Sequence, residues 1–102
     1  MIVITGGTGF IGSFLAAKAE EHGERIVICD WLGCEDKWRN ISKRDLQDLI
    51  APEKLFDYLN ANADEIEAVF HLGAISATTE KDGDAIAENN FRLSRDLWLW
   101  CQ

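Results

Sequence analysis

Thr5-Gly6-Gly7-Thr8-Gly9-Phe10-Ile11-Gly12 is the stretch on which the fold of this chain turns. Gly6, Gly9 and Gly12 stand three residues apart. They follow the short β-branched run Met1-Ile2-Val3-Ile4-Thr5 and open a segment in which Ile11, Phe14, Leu15 and Lys18 keep helical spacing as far as His22-Gly23. The order is strand, tight turn, helix, with Gly23 as the helix stop. Glycines at these points let the backbone turn sharply, bring main-chain N–H groups against a pyrophosphate and seat the helix close on the sheet. The N–H groups of the first helical turn, with the positive end of the dipole, would face the anion. The plain alternative is a glycine-rich turn that binds nothing.

Working outward, Arg25–Asp30 is a second apolar strand, Ile26-Val27-Ile28-Cys29, that ends on an acid, so the first unit is β-α-β and parallel pairing is expected. Asp30 lies 18 residues after Gly12, where a carboxylate can accept from an adenosine ribose hydroxyl. Lys37, Arg39, Lys43 and Arg44 then put four of the ten basic residues into an acid-free window, which fits either a nearby 2′-phosphate or a solvated face. Residues 31–51 show no sustained period and read as a connection with short helical or extended pieces. Pro52 suits a first helical turn, and Leu55, Phe56, Leu59 and Ala63 form a stripe running to about residue 62. Ile66–Leu72 is a further strand, followed by the loop Gly73–Thr79, whose small residues would let a dinucleotide lie close to the backbone at the carboxyl edge of the sheet. His71, at that strand's end, reads first as a satisfied strand-end histidine. The last element, from about Asp84 to Cys101, is a helix with Ile86, Asn89 or Asn90, Leu93, Leu97 and Trp100 facing inward.

Composition narrows the classes. The chain has 102 residues, enough for one domain at most, and 47% hydrophobic residues give it material for a core. Ten basic against eighteen acidic residues leave a net charge of −8, which argues against general nucleic-acid or anionic-membrane binding. No run is long enough to span a membrane and the opening lacks a signal peptide's basic region, so a cytoplasmic location is expected. Cys29, Cys34 and Cys101 fit neither a disulfide framework nor a zinc site and read as reduced thiols, and no metal is expected.

These residues resemble the extended short-chain dehydrogenase/reductase superfamily, whose opening T-G-G-x-G-F-I-G is matched from Thr5 to Gly12 without a gap. Within it, Phe70-His71-Leu72-Gly73-Ala74-Ile75-Ser76-Ala77-Thr78-Thr79-Glu80, then Asp82-Gly83 and Asn89-Asn90, resemble the ADP-L-glycero-D-manno-heptose 6-epimerase family of lipopolysaccharide synthesis. The resemblance implies a Rossmann-type doubly wound parallel α/β sheet, of which about the first four strands are present. It also implies a tightly held NADP or NAD that removes a hydride from C6 of the heptose and returns it to the opposite face. By position, Gly6, Gly9, Phe10, Ile11 and Gly12 would hold the pyrophosphate. Asp30 and Trp31 would meet the ribose and Lys37 the phosphate end of the cofactor, while Leu72, Gly73, Ala74, Ile75, Ser76 and Asn89 would cradle the rest. Trp31 stands where the family commonly has Asn, and Pro52 where a further cofactor lysine is expected.

The same resemblance implies a Tyr-x-x-x-Lys pair, whose lysine lowers the phenol pKa for proton exchange with the sugar. Here the single tyrosine is Tyr58 and the residue four later is Asn62, so no catalytic residue is assigned within this chain. The expectation is an amino-terminal NAD(P)-binding part of a Rossmann domain without its substrate domain. Such a part would be inactive and unstable alone, homo-oligomeric at full length, with Leu97–Cys101 awaiting cover. The alternatives are another nucleotide-sugar 4-epimerase or dehydratase, a non-catalytic NAD(P)-binding module, or a plain structural α/β domain.

Overall fold

Short β-branched runs cannot satisfy their backbone groups alone, and in this chain they do so by parallel pairing. The computed structural model describes residues 1–31, 39–73 and 83–102, the side chains of residues 85–89 excepted. Ile2–Thr5 forms β1, Ile26–Cys29 β2, Asp48–Ile50 β3 and Ala68–His71 β4. The strand order is β3-β2-β1-β4, with every pairing parallel: Val3 stands beside both Val27 and Val69, and Thr5 beside both Cys29 and His71. The order runs outward from β1 in one direction to β3 and in the other to β4. The point at which it reverses, between β1 and β4, is where a sheet of this kind opens a crevice at its carboxyl edge.

Three of the strands fall where the hydrophobic runs place them, within two residues at each end. The fourth, β3, lies inside the connection of residues 31–51. It is three residues long, begins on Asp48 and is largely exposed at the sheet's edge, which leaves too short an apolar run to register as a period.

Helix α1 spans Phe10–Glu21 and ends at His22, with Gly23 in the left-handed region at φ 75°. Its large apolar residues have the expected helical spacing but lie on the outside: Phe10 is 88% exposed, Ile11 69% and Phe14 62%. The buried face is Gly12, Ala16 and Ala19, because only small side chains let the helix sit this close to the strands. Ala16 and Ala19 join Ile4, Ile26, Ile28 and Ile41 in one core cluster, with Ile2, Leu15 and Leu46 packed at its edge. Full burial of each of these isoleucines contributes about 1.5–3 kcal/mol. Val3 and Val27, which point to the other side of the sheet, are also fully buried.

Pro52–Lys54 is a 3-10 turn that leads into α2, Leu55–Ala61, with Leu55 and Leu59 buried. The Tyr58 hydroxyl donates to Met1 Sδ at 3.7 Å, which ties α2 to the start of β1.

The chain divides into two compact units, Met1–Leu72 and Gly73–Gln102. In the second, α3 (Gly83–Ile86) passes into a π-helical stretch, Ala87–Arg92, and then α4 (Leu93–Cys101). The single helix read from the periodicity is therefore wound in three parts. The Ser94 hydroxyl donates to the Asn90 carbonyl at 3.3 Å, occupying the acceptor that a regular α-turn reserves for the backbone. Of the positions expected to face inward, Leu97 is buried and Asn90, Leu93 and Trp100 are half-buried, while Trp98 and Leu99 are exposed. Among the described residues no helix is long and apolar enough to cross a membrane.

Candidate functional site

The chemistry of the first unit gathers where β1 and β2 end. β1 stops at Thr5, and the Gly6 amide donates to the Cys29 carbonyl at 2.8 Å, carrying the pairing one residue past the strand. Gly6 then turns with φ 71°, a conformation that other residues rarely adopt, and its carbonyl accepts from the Gly9 amide at 3.1 Å. Gly9 has extended backbone at the cap of α1 and receives the Ser13 amide at 2.9 Å, so the helix is under way at once. Gly12 is the contact point. A Cβ built there would lie 2.3 Å from the Gly6 carbonyl oxygen and 2.7 Å from Gly7 Cα, so helix and loop touch backbone to backbone. At Gly9 the same atom would meet the Gly6 oxygen at an ordinary 3.4 Å, so the fold itself leaves room there.

Asp30, directly after β2, reaches across to this loop. Its Oδ2 accepts from the Thr8 amide at 3.2 Å and from the Thr8 hydroxyl, and its Oδ1 accepts from the Trp31 amide at 2.8 Å. Asn40 closes the other side, its Nδ2 donating to the Thr8 carbonyl at 2.7 Å. Thr8 is fully buried as a result. The Trp31 indole beside Asp30 is exposed.

At the end of β4, the Leu72 amide donates to the Thr5 carbonyl at 3.1 Å, and Thr5 Oγ1 and His71 Nδ1 share a 2.6 Å hydrogen bond. Burial lowers the His71 pKa from its ordinary value, which favours the neutral ring and agrees with a satisfied strand-end histidine. Leu72 is partly exposed beyond it.

The structure thus brings together Gly6, Gly9, Phe10, Ile11, Gly12, Asp30 and Trp31, with Leu72 one strand away along the same edge. Gly73 and Asn89 belong to the second unit, Asn89 within the π-helical stretch. Lys37, Ala74, Ile75 and Ser76 lie outside the described residues. Within the basic window, Arg44 pairs with Glu20 at 3.0 Å, ten residues beyond the start of α1 and so about 15 Å along it from the glycine loop. Thr8 and Asn40 were not singled out by the sequence. A hydroxyl residue inside the glycine turn, opposite a strand-ending acid, was a usable signal for Thr8, whereas nothing local marks Asn40.

Two further groups of the first unit, Cys29 and Tyr58, are not activated. Burial, with the charges of Asp30 and Glu53 adding, pushes the Cys29 thiol up to about 12, so it stays protonated and is a poor nucleophile. Burial, with Asp48 and Glu65 adding, also raises the Tyr58 pKa, opposite to what proton exchange with a sugar hydroxyl requires. No cluster of metal-ligating side chains occurs among the described residues.

The model of the NAD dependent epimerase/dehydratase family matches residues 2–102. An ADP-L-glycero-D-manno-heptose-6-epimerase of Fusobacterium nucleatum is 49% identical over 104 residues, covering 99% of this chain and 31% of the relative. Proteins of the same name from Nitratidesulfovibrio vulgaris and Alkalilimnicola ehrlichii are 42% and 40% identical, over 99% and 100% of this chain and 32% and 33% of their own. The chain therefore spans about a third of the length of these relatives. Among solved structures, MoeE5 in complex with UDP-glucuronic acid and NAD superposes with a TM-score of 0.64 at 24% identity, over 98% of this chain and 32% of that one. At that identity the likeness establishes the shared Rossmann-type fold.

Proposed function

This chain belongs to the NAD dependent epimerase/dehydratase family, and from that premise we propose that it supplies the dinucleotide-binding part of a nucleotide-sugar epimerase, one that inverts C6 of an ADP-linked glycero-manno-heptose. One observation carries the reading: the glycine loop and the ribose-directed acid Asp30 are bonded to each other at Thr8, in front of the amino terminus of α1. The relatives named as heptose epimerases support the substrate, and the unbroken Thr5–Gly12 stretch supports the cofactor.

The residues present fit a dinucleotide. Gly12 lets α1 approach the loop closely enough for the Phe10 and Ile11 amides to face a pyrophosphate, and Gly9 leaves the space in front of them open. Asp30 would accept from the adenosine ribose, with Trp31 alongside. Leu72 and the segment that follows it would border the nicotinamide half. A bound NAD or NADP would supply the chemistry of hydride removal and return at the inverted carbon. What this chain does is hold the phosphates, orient the ribose and keep the dinucleotide at the carboxyl edge of the sheet. Proton exchange with the sugar is not assigned to Tyr58, which is bonded to Met1 and whose pKa is raised.

Native mass spectrometry of the protein purified from its source, paired with an NMR assay on ADP-heptose, tests this reading. Retained NAD or NADP together with interconversion of the two C6 epimers is the expected result, and the extra phosphate names the cofactor. A retained dinucleotide with turnover only on a UDP-sugar would transfer the assignment to a 4-epimerase or dehydratase, and retention without turnover to a binding module. Absence of both dinucleotide and turnover overturns it.

A further inference from the structure

We propose that Thr8 and Asn40 are positioning residues for the dinucleotide, joining the pyrophosphate loop to the ribose acid so that the two recognise the cofactor as one rigid piece. The inference rests on the dinucleotide reading above and adds two residues to it. Thr8 is fully buried, and all three of its polar groups are engaged by protein. Its amide and hydroxyl both donate to Asp30 Oδ2, and its carbonyl accepts from Asn40 Nδ2 at 2.7 Å. Two consequences follow for the site.

The first concerns Asp30. A carboxylate offers about four acceptor directions, and three are taken here by Thr8 N–H, Thr8 O–H and Trp31 N–H. These three bonds restrain the group and leave one acceptor direction for a single ribose hydroxyl. A negative charge fixed in that place opposes a phosphate on the ribose 2′ position, whereas a carboxylate free to rotate can yield to it. Thr8 thus bears on the choice between NAD and NADP without touching either.

The second consequence concerns the loop. Because the Thr8 amide is spent on Asp30, the phosphate donors shift to the first turn of α1, at Phe10 and Ile11. Asn40, 32 residues further along the chain, holds the Thr8 carbonyl from the opposite side and keeps that turn in register with the end of β2.

The test uses the protein at its encoded full length, with calorimetric titration of NAD and NADP and a thermal melt for each variant. Thr8→Val keeps the shape and removes the hydroxyl. It should weaken NAD binding about tenfold, the value of a hydrogen bond to a charged group. NADP should weaken less, so the affinity ratio moves toward NADP. Thr8→Ser restores the hydroxyl and should return both affinities and their ratio to wild type, which a purely structural contribution of the buried threonine does not require. Asn40→Ala, at an exposed residue, should weaken NAD about threefold with the melt retained. A folded Thr8→Val protein that binds NAD as the wild type does, or that loses both dinucleotides equally, overturns the proposal while leaving the dinucleotide reading intact. If Thr8→Val does not fold, Asn40→Ala decides: loss of affinity supports the proposal and unchanged affinity overturns it. A wild-type protein that binds neither dinucleotide overturns the functional reading and this inference together.

Discussion

The carboxyl ends of β1 and β2 and the carboxyl end of β4 lie on the same edge of one parallel sheet, yet they are finished in different ways. At β1 and β2 the backbone turns through Gly6, wedges α1 against the loop at Gly12 and buries Thr8 between Asp30 and Asn40. At β4 a side-chain bond joins His71 to Thr5, and Phe70 and Leu72 remain 40% and 41% exposed. The difference teaches where rigidity is built in. A pyrophosphate is recognised by main-chain donors whose directions must be set before it arrives, so the fold spends its close contacts there.

Substitutions that separate packing from recognition break this comparison most sharply. Gly12→Ala should be the most damaging, because its Cβ would fall 2.3 Å from one backbone atom and 2.7 Å from another, neither of which can rotate away. We expect a loss of about 3 kcal/mol or more, the upper end of overpacking, read from the midpoint of denaturant unfolding. A cost under about 1 kcal/mol would mean that α1 is not seated on the loop as described. Gly9→Val gives the opposite outcome. Gly9 already has φ −73° and ψ 177°, which suit valine, and the nearest contact is an ordinary one. Stability should change by no more than about 1 kcal/mol, while dinucleotide binding is lost because the side chain fills the space before the Phe10 and Ile11 amides. Retained binding in a folded Gly9→Val protein would place the phosphates elsewhere.

The same contrast explains how much could be read from the sequence. The β1-loop-α1-β2 unit was legible residue by residue because each step obeys a local rule: β-branched run, glycine turn, helical spacing, glycine stop. Asp30 was legible because its distance from Gly12 is fixed by one helix and one strand. The helix type of α1 was right for a reason that misleads about its faces, since of Ile11, Phe14, Leu15 and Lys18, which carry the period, only Leu15 packs at the edge of the core, and the buried side is Gly12, Ala16 and Ala19. Strand β3 was hidden because an edge strand of three residues that opens on Asp48 has no run to display. Asn40 was hidden because its role depends on a contact 32 residues distant, which no spacing rule encodes. The π-helical stretch at Ala87–Arg92 breaks the 3.6-residue period that the reading of the last helix assumed.

The mildest probe acts at the open end of the comparison, on the Thr5–His71 bond. Burial holds the His71 pKa below its ordinary 6.5. The unfolded chain therefore takes up a proton at a higher pH than the folded one does. Stability linked to this group is complete above about 6.5 and is lost as pH falls through the folded value. Protonation also fixes the direction of the bond, since Nδ1 then carries a hydrogen and can only donate to the Thr5 oxygen. The melting temperature should decline as pH is lowered from about 7 to about 5.5, above the range in which carboxylates titrate. His71→Asn removes the titrating group and should flatten that decline while lowering the plateau slightly through the lost bond. A slope equally steep in His71→Asn would assign the acid sensitivity to another group.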